Sequence, residues 1–212
     1  VGEERRSVDD VTRLRATAEF FGERAAGWDV KFGDDIPAYT AAVRRADYPR
    51  GSVVADVGCG TGRALPALRE AVGPAGAVLG VEVTAQMLSA ARRSGRDRVA
   101  HLLLADALHL PLPDGTLGGV FAAGLISHLP DPGLGLRELA RVTRPGGVLV
   151  LFHPTGRRAL AARHGRELRG DEPLAEAPLT HLLTQAGWSR RSYEDTEHHF
   201  FALAHRTVSA SG

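Results

Sequence analysis

The sequence has no asparagine, one lysine (Lys31), one cysteine (Cys59), one methionine (Met87) and two isoleucines (Ile36, Ile126). A single cysteine excludes an internal disulfide and a multi-cysteine zinc site. No run approaches the roughly 18 consecutive apolar residues of a membrane span. The first residues, "VGEERRSVDDVTRLR", lack the apolar core of a secretory signal, so a cytoplasmic location is expected. An excess of either charge is missing too, with 26 basic against 25 acidic residues. Of the basic residues 25 are arginine. Lysine, asparagine and isoleucine share AT-rich codons, so the arginines read as the mark of a GC-rich genome. They are dispersed, balanced by acids and not interleaved with aromatics, which argues against a nucleic-acid partner.

What is present is an ordinary globular composition, 43% hydrophobic over 212 residues, enough for one domain with additions. Residues 8–22 and 36–47 have the apolar spacing of helices. A strand–helix alternation starts at Ser52. The strands are 52–57, 77–83, 99–106, 116–126 and 146–153, and the helices are 63–72, 84–94 and 132–143, with Thr84 placed to cap the second. Apolar runs without polar alternation must be covered on both faces, which predicts a mostly parallel sheet between helical layers. Residues 154–177 lose the pattern. A helix at 179–187 and two neighbouring strands, "WSRRSYEDTE" and "HHFFALAHRT", complete the chain as an antiparallel pair.

The densest signal is the run Asp56-Val57-Gly58-Cys59-Gly60-Thr61-Gly62 between the first strand and its helix. Ligands of open parallel sheets bind at the carboxyl ends of the strands, and glycines there let the backbone approach them. Glu82 ends the second strand, 20 residues after Gly62, where a carboxylate can grip a ribose. Asp106 ends the third, where a carboxylate and the Ala107 N–H suit the edge of an adenine. Each feature alone has a plain structural reading, a tight turn or a solvated strand end. Their joint register favours a nucleoside site.

These residues carry a resemblance. The segments "RAAGWD" (24–29), "VVADVGCGTGR" (53–63), "VLGVEVTAQMLSAAR" (78–92), "LLADALHLPLPDGTLGGV" (103–120) and "HLPDPGLGLRELARVTRPGGVLVL" (128–151) resemble the class I S-adenosylmethionine-dependent methyltransferases, within the group that modifies small molecules and cofactors. The resemblance implies an α/β, Rossmann-like fold with a seven-stranded, mostly parallel sheet, helices on both faces and the last strand antiparallel. It implies S-adenosyl-L-methionine as cofactor and a small molecule as substrate, with neither nucleic acid nor membrane as partner. Gly58, Cys59, Gly60 and Gly62 would pack on the methionine and ribose. Asp56 would anchor the turn and, directly or through water, the amino group. Glu82 would take the ribose hydroxyls, while Val83 and Leu108 would pack on the adenine. Asp106 and Ala107 would read the adenine edge, and Ala123 and Gly124 would line the methionine side near the methyl. Trp28 would close over the cofactor, and Arg63 would meet the methionine carboxylate. Two departures stand out: Glu82 replaces the commoner Asp, and Gly119 stands where the fourth strand usually carries an Asp. No Asn-Pro-Pro-Tyr motif follows that strand, so adenine-N6 and glutamine methylation are not expected.

Methyl transfer from a sulfonium is an in-line displacement, and alignment supplies much of its catalysis. A neutral O or N nucleophile still gains from a base. Ser127, His128 and His153 are the candidates, with His128 and His153 preferred because they follow the fourth and fifth strands. No metal site is expected. Arg157, Arg158, Arg163, Arg166 and Arg169 either steer an anionic substrate or form a solvated helix, the latter being favoured. Residues 1–50 are expected as a helical lid, 51–208 as the cofactor-binding domain, and 154–177 as an insertion that helps choose the substrate. Two other functions fit parts of the pattern. One is a nicotinamide-dependent oxidoreductase, disfavoured because the glycine spacing is one residue short. The other is a catalytically silent cofactor binder that supports a partner protein.

Overall fold

Strands that are apolar at every position need a helical layer on each side, and the computed structural model, which describes residues 8–208, provides both. Three helices open the chain: α1 (Val8–Arg24), α2 (Trp28–Phe32) and α3 (Ile36–Arg45). Then β1 (Val53–Val57), α4 (Leu65–Val72), β2 (Ala77–Glu82), α5 (Ala85–Arg93), β3 (His101–Leu104), β4 (Leu117–Ala123), α6 (Pro132–Val142) and β5 (Thr143–His153) follow in alternation. The chain continues through α7 (Arg157–Arg163) and α8 (Glu176–Gln185) to the hairpin of β6 (Trp188–Asp195) and β7 (Phe200–Arg206). The seven strands lie in the order β3-β2-β1-β4-β5-β7-β6. The first five are parallel, and β7 runs antiparallel between β5 and β6. The chain therefore winds outward from β1 to β3, then returns to the other side of β1 to lay down β4. The crevice beyond the carboxyl ends of β1 and β4 is the switch point where ligands of such sheets bind.

Alternate residues of each strand feed opposite layers, as a pleat requires. Val54, Phe121 and Val150 pack with Val43 of α3 and with Leu65 and Leu68 of α4. Ala55, Val57, Val120 and Leu149 pack with Leu136 and Leu139 of α6 and with Leu179 and Leu183 of α8. The N-terminal segment is thus more than a cover, because α3 contributes Tyr39, Ala42 and Val43 to the core beneath the sheet. Asp131 caps α6 by accepting from Leu134 N at 2.8 Å. Thr84 occupies the N-cap position of α5 without side-chain capping; Met87 N donates to Thr84 O at 3.1 Å, and Thr84 N donates to Glu82 Oε1 at 2.9 Å. The five-residue α2 lies outside the sequence expectation, being too short to display a helical period. A helix is the favoured sequence reading of the arginine cluster, and α7 forms it over Arg157–Arg163, although Arg157 is buried rather than solvated. Among the described residues no helix is long and apolar enough to cross a membrane.

Gly119 has a packing reason. A Cβ there would lie 2.5 Å from Tyr48 Cε1 and 2.6 Å from Tyr48 Cδ1. The Tyr48 ring is buried on that bare backbone, and its hydroxyl donates to Val120 O at 2.9 Å. The fourth strand lacks an Asp because a tyrosine from the segment before β1 occupies the space. Gly119→Ala is expected to cost about 1–3 kcal/mol by overpacking, read as a lower midpoint in urea unfolding. An unchanged midpoint would contradict this packing.

Candidate functional site

The parallel strands all end at the same edge, so residues far apart in sequence meet there: Asp56 on β1, Glu82 on β2, Asp106 beyond β3, Ala123 on β4 and His153 on β5. The turn after β1 is folded back on itself. Gly58 N and Cys59 N both donate to Val81 O, at 2.8 and 3.0 Å, and Gly62 N donates to Cys59 O at 2.8 Å. Gly60 N donates to Glu82 Oε2 at 2.9 Å. Gly60 has φ +55°, and a Cβ on it would meet nothing within 4 Å, so this part of the turn faces open space. Gly62 is different: at φ +84° its missing Cβ would lie 2.6 Å from Leu65 Cδ1. One glycine leaves room for a ligand and the other lets the helix pack.

The three acids are not equivalent. Glu82 is buried and accepts from Gly60 N with one oxygen and from Thr84 N with the other. A carboxylate offers about four lone-pair positions, so its outer two remain for a ligand. Asp56 is only 2% exposed, and its Oδ1 is buried without a partner. Burial first, and the Glu82 charge second, push its carboxyl up to about 8 against the opposing pull of Arg63. A buried acid with an orphaned oxygen is costly, and costs of this kind cluster at binding sites. Asp106 accepts from Leu108 N at 3.0 Å, and its Oδ2 lies 3.5 Å from His109 Nδ1. Ala107 and Leu108 beside it are buried, while Leu104 at the end of β3 is 58% exposed.

The N-terminal helices are clasped onto this turn by Asp29 and Arg96, which the sequence pattern did not single out, and by Arg63, which is expected at the cofactor. Asp29, next to Trp28, accepts from Thr61 Oγ1 at 2.5 Å and pairs with Arg96 Nη1 at 2.5 Å. Arg96 also donates to Thr61 O at 2.7 Å. Arg63 donates to Phe32 O at 3.0 Å and to Tyr39 Oη at 2.9 Å, and pairs with Asp35 at 3.3 Å. In this structure Arg63 is therefore a link between the turn and the N-terminal helices, and these contacts occupy the guanidinium expected to meet a methionine carboxylate. Trp28 is half-buried, packed on Phe32 at 4.8 Å and on Phe21 at 5.6 Å between ring centroids.

Phe21 also meets His128 edge-on at 5.1 Å, which carries the aromatic run to the end of β4. Burial, assisted by His164, holds His128 below its ordinary 6.5. Burial likewise leads in lowering His153, with Arg63 and Arg163 assisting and the Thr155 backbone and Asp35 opposing. His153 Nδ1 lies 2.8 Å from Thr155 O and 3.0 Å from Thr155 N. A Cβ on Gly124 would lie 3.8 Å from His153 Cδ2, so the ring edge that carries Nε2 faces the end of β4. Ser127 Oγ is spent on Gly124 O at 3.3 Å. Most of the arginine cluster has internal work. Arg157 is buried between Asp195 and Glu172, Arg166 pairs with Glu172, and Arg169 pairs with Asp171. Arg163 donates to Thr155 Oγ1 at 3.3 Å.

Residues 55–151 match a family model described as a methyltransferase domain. The chain is 38% identical over 170 residues to a phosphatidylethanolamine N-methyltransferase of Cereibacter sphaeroides, covering 78% of this chain and 77% of that one. It is 36% identical over 111 residues to a demethylmenaquinone methyltransferase of Geobacillus stearothermophilus, covering 51% of this chain and 47% of the relative. It spans less than half the length of several other curated relatives. A Haloferax volcanii methyltransferase, solved in complex with its activator protein, shares the fold at a TM-score of 0.73 and 20% identity, over 89% of this chain and 98% of that one. With its glycine-rich turn, its acid-bearing strand ends and a relative matched over most of both chains, this protein belongs to the S-adenosylmethionine-dependent methyltransferase family.

Proposed function

We propose that this chain transfers a methyl group from S-adenosylmethionine to an O, N or C nucleophile of a small molecule. The observation that carries the reading is Asp56, a buried acid with an unpaired oxygen beside an open glycine turn. A cationic ammonium is the partner that such a group lacks. The donor and acceptor set fits the rest of the cofactor as well. Gly58, Cys59, Gly60 and Gly62 form the cradle, and the outer lone pairs of Glu82 suit a ribose diol. Val83, Ala107 and Leu108 with Asp106 form an adenine site. Ala123 and Gly124 border the reacting end, and Trp28 covers it. Bound there, S-adenosylmethionine supplies a methyl group already activated by its sulfonium charge.

The work left to the chain is alignment, exclusion of water and the acceptor's proton. Asp29, Arg63 and Arg96 hold the N-terminal helices against the turn, which shields the site from solvent. His128 and His153 stand at the ends of β4 and β5 as substrate-side groups, and each favours its neutral form near pH 7. A neutral imidazole can accept a proton, which suits a nucleophile that must lose one.

Incubating the protein with isotope-labelled cofactor and a metabolite extract, followed by mass spectrometry, tests the activity. Binding of NADH with no binding of S-adenosylmethionine would overturn the reading. Asp56 supplies a sharper check. In the free protein it keeps its proton below about pH 8, and an ammonium partner expels it. Calorimetry at pH 6.5 in buffers of different ionisation enthalpy is expected to show about one proton released per cofactor bound. Asp56→Asn is expected to lose that release and to bind at least about tenfold more weakly, the scale of one charge-assisted contact.

A stability slope follows from the same acid. The folded chain retains a proton that the unfolded chain gives up at the ordinary carboxyl value of 3.8. Asp56 therefore makes stability fall as pH rises from 3.8 to about 8. Urea midpoints across that range are expected to fall less steeply in Asp56→Asn than in the parent protein, and equal slopes would contradict the assignment.

A further inference from the structure

The arginines that follow β5 do not share one role. Arg157, Arg166 and Arg169 each meet carboxylates of the chain itself. Among the described residues Arg163 meets none, and its hydrogen bond runs from Nη1 to Thr155 Oγ1 at 3.3 Å. Nε and Nη2 are left for another acceptor. Arg163 closes the last turn of α7, yet its guanidinium lies back beside Thr155, ahead of that helix. It therefore does not serve the carbonyls at the carboxyl end of α7, the usual task of a basic residue there.

Thr155 also decides what His153 presents. Thr155 is buried, and its N–H donates to His153 Nδ1 at 3.0 Å. A buried N–H without an acceptor is rarer than an underserved carbonyl, so Nδ1 gives its lone pair to Thr155 N rather than a proton to Thr155 O at 2.8 Å. The neutral imidazole then carries its proton on Nε2. The Cδ2 beside Nε2 would lie 3.8 Å from a Cβ on Gly124, so this edge of the ring faces the end of β4. Burial leads in keeping the imidazole neutral, with Arg63 and Arg163 assisting and the Thr155 backbone and Asp35 opposing. Asp35 and Arg63 form a pair, so their charges offset each other, whereas that of Arg163 is not offset. The loop between His153 and α7 is fixed in place. A Cβ on Gly156 would run into Thr196 O, and Arg157 N donates to Asp195 Oδ1 at 2.9 Å.

Two donors, one charged and one neutral, thus stand at the substrate side of β4 and β5, and among the described residues no acid answers them. An ammonium would be repelled by the guanidinium, and a neutral hydroxyl would leave its charge unanswered. We infer that the methyl acceptor carries an oxyanion, a carboxylate or a phosphate, held by the Arg163 guanidinium and by the Nε2–H of His153. This inference rests on the methyltransferase reading above and adds the substrate's anchor to it. The anion stays ionised and takes no part in bond making. Its task is to place the nucleophile in line with the methyl group, and charge-assisted hydrogen bonds to a planar fork suit that task.

The aromatic run of Trp28 and Phe21 reaches His128 at the end of β4, so the probes are built on a benzene ring. Benzoate and phenyl phosphate are compared with benzyl alcohol and benzylamine by calorimetric titration into protein saturated with S-adenosylhomocysteine. At least one anion is expected to bind at least about tenfold more tightly than the alcohol and the amine, the scale of one charge-assisted hydrogen bond. The tighter of the two anions tells a carboxylate anchor from a phosphate one. Comparable affinities across the four probes, binding of none, or preference for the amine overturns the inference. Failure to bind S-adenosylhomocysteine overturns the underlying methyltransferase reading instead.

Two variants and one spectrum separate anchoring from a structural role. Arg163→Gln is expected to keep the melting temperature and the S-adenosylhomocysteine affinity. It should lower affinity for the preferred anion about tenfold and leave benzyl alcohol unaffected. Arg163→Lys, which keeps the charge without the fork, is expected to recover part of that loss. An unchanged anion affinity, or a loss shared by benzyl alcohol, overturns the inference. Nitrogen-15 NMR of the His153 ring is expected to show Nε2 protonated and Nδ1 bare, with the Nε2 signal moving on addition of the anion. A proton on Nδ1, or an Nε2 signal that the anion does not move, overturns the part given to His153.

Discussion

The site depends on the Glu82 carboxylate, which ties the glycine turn to the start of α5. One oxygen takes Gly60 N–H and the other takes Thr84 N–H. Val81 O, just before it, takes Gly58 N–H and Cys59 N–H. The end of β2 thereby organises the turn that follows β1. Buried backbone donors must be satisfied, and here that requirement defines the loop shape. The turn spends its donors on the protein, so side-chain acids and open space remain for a ligand. This arrangement leaves Asp56 without a partner for Oδ1.

Around this unit, arginine acts as a fastener. Arg63 and Arg96 reach from the turn and from the segment after α5 to the N-terminal helices, each with a side chain about one-tenth exposed. Arg157 does the same between α7 and the final hairpin, meeting Asp195 and Glu172. A guanidinium has five donors in a planar fork, so one side chain can bind carboxylates, carbonyls and hydroxyls together. Removing the acid of such a pair leaves a guanidinium that is about one-tenth exposed without its counter-charge, whereas the acids at Asp35 and Asp29 keep about one-third of their exposure. The arginine excess that looks genomic in composition thus supplies joints at three places in the fold.

The order and type of the main strands were legible because a two-sided sheet imposes continuous apolar runs of characteristic length. The boundaries were less so. The fifth strand begins at Thr143, three residues before the expected 146, since Pro145-Gly146-Gly147 reads as a turn while Thr143 ahead of it already pairs with Leu117; regular pairing resumes at Val148 after a register shift. Asp56, Glu82 and Asp106 stood out by their register at strand ends. Asp29, Arg96 and Thr61 did not, because their contacts cross 32 to 67 positions of sequence and no local period encodes them. Phe21 beside His128 is a contact of the same long-range kind.

By itself the sequence determined the layered α/β architecture, the position of the glycine turn and the acids at the strand ends beside it, because periodicity and strand-end spacing are local properties of the chain. Tertiary structure alone decided what each charged side chain does. It placed Arg63 on the N-terminal helices, buried Asp56 until its acidity changed, filled Gly119's empty space with Tyr48, and left His153 facing the end of β4. The physical reason is that a charge takes its role from its partners and its exposure, and both are set by residues that only folding brings near.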